Sequence, residues 1–247
     1  MAQPKPSSSS PSSSPPQRKR LRASARVSDA LATRFSCRAF LPKAVDKALV
    51  QQLLQHASRA PSGGNLQPWH VWALSGEPLK KLVTDVGVAM RDKPGGLGSE
   101  YHIYPPNLTD PYEARRRDIG ARLYELLGIA REDKMAKLGQ LAKNFEFFGA
   151  QTALFFAIDK QMQEGQWSDL GMFLQSIMLL AREYGLHTCP QEAWAVWAPL
   201  IKKFLNIPDH MTFFCGMALG HADPHAVVNQ LESPRAALED YATFVGF

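Results

Sequence analysis

The sequence predicts a globular domain that mixes helices with short strands, and three observations carry that prediction. Apolar residues recur at helical spacing in several stretches, first over Val45, Leu49, Val50, Leu53, Leu54 and Ala57. Between such stretches lie short runs of strand character: His70–Leu74, the wholly apolar Ala153–Ile158, and Met211–Leu219. Hydrophobic residues make up 45% and aromatic residues 10% of the chain, enough to build a proper core.

At 247 residues the chain can form one fair-sized domain or two small ones. Its net charge of +5 is concentrated near the N-terminus, where Arg18, Lys19, Arg20, Arg22 and Arg26 precede the first acid, Asp29. The rest is near neutral, so the basic balance points to no nucleic-acid surface. Cys37, Cys189 and Cys215 are odd in number, far apart and free of any Cys-x-x-Cys spacing. That pattern predicts reduced thiols in a cytoplasmic setting, and no disulfide framework or zinc site. No apolar run reaches the roughly eighteen residues that a membrane-spanning helix needs.

Residues 1–26 are Ser/Pro-rich and then basic, without the apolar core of a secretory signal. They read as a disordered, solvated tail; the prolines spoil the amphipathic helix of a transit peptide, and Arg18-Lys19-Arg20 could serve as a nuclear or nucleic-acid signal. Folding is expected to begin near Val27, with a short helix to about Thr33. Next comes Arg34-Phe35-Ser36-Cys37-Arg38. On a helix, Ser36 would face away from the two arginines, whereas an extended chain points all three the same way. Two guanidinium forks and a hydroxyl converging from one strand-like segment suit a phosphate.

The helical run over 45–57 is broken at Ala60-Pro61-Ser62-Gly63-Gly64-Asn65-Leu66-Gln67-Pro68-Trp69, after which the strand at His70–Leu74 begins. Pro61 stops the helix, and Gly63-Gly64 let the backbone approach something flat. Asn65 and Gln67 each carry a donor and an acceptor, which suits the mixed edge of a heterocycle. This Ala-Pro-Ser-x-x-Asn-x-Gln-Pro-Trp stretch, set between a helix and a strand, resembles the signature of the FMN-dependent nitroreductases. Arg34, Ser36 and Arg38 fall on that family's Arg-x-Ser-x-(Arg/Lys) hallmark as well.

Residues 27–247 then read as one nitroreductase-like domain. The resemblance implies the α+β class: a three-layer sandwich with a mixed, mainly antiparallel sheet flanked by helices, in an intertwined homodimer. It also implies FMN in a groove between the subunits. The phosphate would lie on Arg34, Ser36 and Arg38, and the ring along Pro61, Ser62, Gly63, Asn65 and Gln67.

Glu77–Met90 reads as an amphipathic helix. Residues 91–127, which begin irregularly and end in a charged helix from about Tyr112 to Leu127, read as a variable lid or insertion with a long mobile loop. Gly95-Gly96-x-Gly98 is no dinucleotide fingerprint, because no strand precedes it. Tyr101, Tyr104 and Tyr112 are expected near the substrate, since in nitroreductase-like proteins this region shapes the pocket. Glu132–Phe148 reads as one helix, and the resemblance places Asn144 beside the flavin.

Asp169–Gly185 leaves almost no polar face and is expected to be buried on every side, most easily with a partner subunit over its far face. Gly185–Ala193 reads as a turn, where the resemblance places Pro190, Gln191 and Glu192 beside the flavin ring. His221-Ala222-Asp223-Pro224-His225 lacks the geometry and third ligand of a metal site. By resemblance Arg235 completes the phosphate site, and the apolar Tyr241–Phe247 end should dock on something.

The chain contains no Gly-x-Ser-x-Gly and no phosphate-binding Gly-x-x-x-x-Gly-Lys-Ser/Thr. By resemblance no catalytic side chain is needed, because the chemistry is the flavin's. NADH or NADPH would reduce it, and a nitroaromatic or quinone-like acceptor would reoxidise it. The same scaffold could instead serve reductive dehalogenation or activated-alkene reduction, or bind flavin without catalysis.

Overall fold

The structure, a computed structural model, describes residues 20–247. Most of the expected tail, with Arg18 and Lys19, lies outside the described residues. Its last part is not a free tail. Arg20 and Ser24 are buried, and the Ser24 amide donates to the Arg182 carbonyl at 2.9 Å, so the packed part starts before Val27.

Seven helices and four strands follow. They are α1 (Val27–Thr33), α2 (Lys47–Ala57), β1 (His70–Ser75), α3 (Gly76–Asp92), α4 (Tyr112–Leu126), α5 (Lys134–Ala142), β2 (Thr152–Asp159), α6 (Glu164–Glu183), β3 (His187–Gln191), α7 (Ala198–Leu205) and β4 (Met211–Gly220). The strand order is β1-β2-β4-β3 and every pairing is antiparallel. Outside the four strands, Ser36 bridges to Thr188 in parallel, which makes the sheet's far edge mixed.

Strand β2 lies at the centre and its side chains alternate between two cores. Leu154, Phe156 and Ile158 pack with α2 and α6, through Leu53, Phe173 and Ile177. Ala153, Phe155 and Ala157 pack on the other face with α3, α7 and the Phe145–Trp197 aromatic cluster. The result is three layers. A bulge at Phe214 lets Phe213 and Cys215, two residues apart, enter opposite cores, which a regular strand would forbid.

Three elements depart from expectation. The segment read as one helix over 132–148 stops at Ala142 and continues as a tight 3-10 stretch, Lys143–Gly149, in which Phe147 and Phe148 take left-handed φ of 49° and 54°. Burial of both rings holds that costly backbone in place. The expected turn at 185–193 contains β3, whose Pro190 opposes Met217. Helix α6 starts earlier than Asp169, capped by Gln163; within one chain Leu170, Phe173 and Ile177 face the core, while Met172, 40% exposed, lies on the face that this chain leaves uncovered.

The stretch after α3 is tied down rather than loose. Gly96 lies so close to Val196 that a Cβ would fall 2.6 Å from the Val196 carbonyl oxygen. The Leu97 and Gly98 amides donate to that same oxygen. The Glu100 carboxylate accepts from the Phe213 amide at 2.7 Å and from Lys202 Nζ at 2.9 Å. The expected mobile loop is therefore anchored over residues 96–101.

Candidate functional site

The extended segment after α1 is what gathers the basic residues. Arg34 ends the helix in an extended conformation, and the Cys37 amide donates to the Thr188 carbonyl, adding the segment to the free edge of β3. Phe35 and Cys37 turn into the core, so Arg34, Ser36 and Arg38 face the opposite way. They line a cavity of about 360 Å³ whose other wall is the C-terminal arm, with Leu231, Glu232, Ser233 and Arg235.

Asn229 ties the two ends of the chain together. Its side-chain oxygen accepts from the Arg38 amide at 2.8 Å, and its amide group donates to the Ala39 carbonyl at 2.8 Å and the Asp223 carbonyl at 3.0 Å. The sequence shows only an ordinary Asn here, since the Arg38 amide and the Ala39 carbonyl lie 191 and 190 residues away along the chain. Arg235 is held by its own turn, donating to the Ser233 and Pro234 carbonyls.

Burial pushes the Arg34 pKa down, the nearby Arg235 charge pushes it further, and Cys189 opposes both. Two guanidinium groups held close enough to repel form a site that favours an anion. No carboxylate among the described residues forms an ion pair with Arg34, Arg38 or Arg235.

The loop between α2 and β1 presents a second set of groups. Pro61, Gly63, Asn65 and Gln67 are exposed, Ser62 half-buried. Asn65 and Gln67 take left-handed φ of 57° and 50°, a strained arrangement kept by local bonds. The Gln67 amide donates to Ser62 Oγ at 3.0 Å, and the Gly63 amide donates to the Asp169 carboxylate of α6 at 3.1 Å. Trp69 stacks on Phe173 at 4.7 Å, fixing the far end of the loop to the same helix. Asp169 was invisible to sequence reasoning because it sits in an apolar helix read as core. The cavity lined by the arginines includes no residue of this loop.

Asn144 and Gln191 come together: Gln191 Nε2 donates to the Asn144 carbonyl at 2.7 Å and contacts its Oδ1 at 3.2 Å. Pro190 and Gln191 end β3, and Glu192 opens the 3-10 turn after it. Tyr101 reaches that turn. Its hydroxyl donates to the Phe214 carbonyl at 2.8 Å and lies 3.3 Å from Glu192 Oε2. Burial first, then the Glu192 charge, pushes the Tyr101 phenol up; burial also pushes Glu192 up, opposed by the phenol.

Tyr104 and Tyr112 are not gathered there. They are 54% and 60% exposed and lie against Arg116 and Arg115 on the α4 surface.

All three cysteines are free and buried, and burial pushes the Cys189 thiol up to about 11. Among the described residues no group of three or more His, Cys, Asp or Glu is placed to hold a metal ion, and no helix is long and apolar enough to cross a membrane.

The donor set suits a flavin mononucleotide. Four guanidinium groups and two serine hydroxyls line one cavity suited to a phosphoryl group, and the amide-bearing side chains and exposed main chain of the 61–67 loop stand elsewhere for a heterocycle.

The comparisons agree with that chemistry. The model of the Nitroreductase family matches residues 31–221. The 4-nitrobenzoate reductase of Pseudomonas putida is 38% identical over 217 residues, covering 88% of this chain and 94% of that protein. The chloronitrobenzene nitroreductase of Comamonas testosteroni is 35% identical over 219 residues, covering 89% and 96%. Among solved structures, the FMN and NADPH-dependent nitroreductase NfnB from Sphigopyxis sp. strain HMH superimposes with a TM-score of 0.87 at 43% identity, covering 90% of this chain and 100% of that one. NfnB from Mycobacterium smegmatis, solved with NADPH, gives 0.84 at 27% identity over 88% and 97%. This chain belongs to the nitroreductase family.

Proposed function

We propose that this protein is an FMN-dependent oxidoreductase that reduces nitroaromatic or quinone-like acceptors with NAD(P)H. The observation that carries the reading is the cavity in which Arg34, Ser36 and Arg38, from one end of the chain, meet Arg235 from the other. Relatives named for nitrobenzoate and chloronitrobenzene reduction favour a nitroaromatic over a halogenated or alkene acceptor, and the NfnB structures favour NADPH as donor.

When bound, FMN would supply the redox chemistry, taking a hydride from the nicotinamide and passing electrons to the acceptor. The chain's own part is to hold and orient. Arg34, Ser36, Arg38 and Arg235 would bind the phosphate, and Pro61, Ser62, Gly63, Asn65 and Gln67 would lie along the ring. Asn144, Pro190, Gln191 and Glu192 would also lie beside the ring, where a main-chain N–H could donate to it. Tyr101, fixed between Phe214 and Glu192, would shape the acceptor pocket beside them.

We also propose a homodimer in the cytoplasm. The phosphate cavity and the ring-binding loop are separate on one chain, and a second copy would bring them together. Exposed apolar residues at Val27, Leu31, Phe244 and Val245 support a covered face. The buried free cysteines suit a reducing compartment.

The test is the visible spectrum of the purified protein. It should be yellow, be bleached by NADPH, and recover its colour on addition of 4-nitrobenzoate. A colourless protein that takes up no added FMN would sink the proposal.

A further inference from the structure

The phosphate cavity has a wall that no family motif supplies. Arg20, seven residues before α1, lines it together with Arg34, Ser36, Arg38 and Arg235. Its guanidinium carbon sits 4.5 Å from the centroid of the Phe35 ring, on the same extended segment that presents Arg34 and Ser36.

The backbone around Arg20 is fixed by an unusual anchor. Arg182 of α6 is 1% exposed and faces no carboxylate; its guanidinium donates to the carbonyls of Leu186, Arg20 and Arg22. His187 Nε2 also lies 3.1 Å from the Arg20 carbonyl. Ser24 completes the attachment through the Arg182 carbonyl and the Thr33 hydroxyl. A buried arginine spent wholly on carbonyl groups is costly unless its geometry is required. What it holds in place is the main chain that carries Arg20, while the Arg20 side chain itself lies over the Phe35 ring.

Glu232 is the one carboxylate lining the cavity, against four guanidinium groups. Its charge acts on Arg20 without forming an ion pair, so the cavity keeps an excess of positive charge.

We infer that Arg20 is a fourth guanidinium ligand of the phosphoryl group bound in this cavity, delivered by an N-terminal strap (residues 20–24) that Arg182 and His187 position. The inference rests on the reading of the cavity as the FMN phosphate site. A guanidinium in this position adds a charge-assisted contact to the phosphate and none to the ring. Its loss should therefore discriminate between flavins that differ only in the phosphate.

The experiment is a titration of the full-length, flavin-free protein with FMN and, separately, with riboflavin. Arg20→Met should weaken FMN about tenfold or more while leaving riboflavin binding and melting temperature unchanged. Arg20→Lys should restore part of the loss. If Arg34→Ala weakens FMN but Arg20→Met does not, the inference is overturned and the site stands. Should Arg20→Met weaken both flavins equally, or only lower the melting temperature, Arg20 is a packing residue and the inference fails. If neither variant affects FMN, the phosphate site itself is misplaced.

Discussion

His187 shows how one residue can be forced into a single protonation state. It is 2% exposed; the Arg20 carbonyl can only accept, so the proton sits on Nε2, and the buried Nδ1 has no partner. Burial, then the Arg182 charge, lowers its pKa from 6.5 to about 3. A lowered folded pKa means the unfolded chain binds the extra proton first. The stability held above pH 6.5 should therefore be lost as pH falls towards 3, at up to about 1.4 kcal/mol per pH unit. Unfolding of His187→Gln should show a shallower slope between pH 6.5 and about 5, where most carboxylates are still ionised. Equal slopes would refute this. At this scale the sequence was informative only where the argument is local. The same-side placement of Arg34, Ser36 and Arg38 follows from the alternation of an extended chain. Asn229 and Asp169 could not be found that way, because what makes them matter is a backbone amide 191 or 106 residues away.

Elements were legible where their burial is uniform. Strand β2 is apolar throughout because both its faces are covered, and its composition reports that directly. Strand β3 was hidden because its buried residues include His187, Thr188 and Gln191, and its Pro190 signals a turn. An edge position explains the proline, which needs no ladder donor there. Helix α7 carried signals that went unread, with Pro199 in its first turn and Asn206 as a left-handed cap. The loop before α4 was read as mobile from its length and irregularity, yet Gly96 is there for close approach to Val196, and Glu100 ties the loop to β4. Replacing Glu100 with Ala would strip the Phe213 amide of its acceptor and Lys202 of its ion pair. An orphaned amide of this kind costs about 1–3 kcal/mol. Hydrogen exchange should then rise at Phe213 and across residues 96–101, with a higher KM for the acceptor because the loosened loop presents Tyr101 to Phe214 and Glu192 less firmly. Unchanged exchange in that stretch would show that Gly96 packing alone holds the loop.

For the whole molecule, the decisive fact is that the two sets of groups we propose to hold the flavin occupy different places on one chain. Arg34, Ser36, Arg38 and Arg235 line one cavity; the Pro61–Gln67 loop lies outside it, fixed to α6 through Asp169. In a two-fold dimer each site would take its arginines from one copy and its loop from the other. Mixed dimers test this directly. Let one chain carry Arg34→Ala with Arg38→Ala and the other carry Asn65→Ala with Gln67→Ala, each expected to bind little FMN as a homodimer. Co-expressed with different tags and purified as the mixed species, the two defective chains should regain one of the two sites. One composite site would combine both defects, and the other would combine the two intact halves. If arginines and loop of a site instead came from the same chain, each site of the mixed dimer would keep one defect and no FMN would return. A protein that sediments as a monomer at working concentration would remove the premise, so sedimentation comes first. Recovery of about half the flavin of the unaltered dimer is the expected result, and its absence in a verified mixed dimer would refute the shared site.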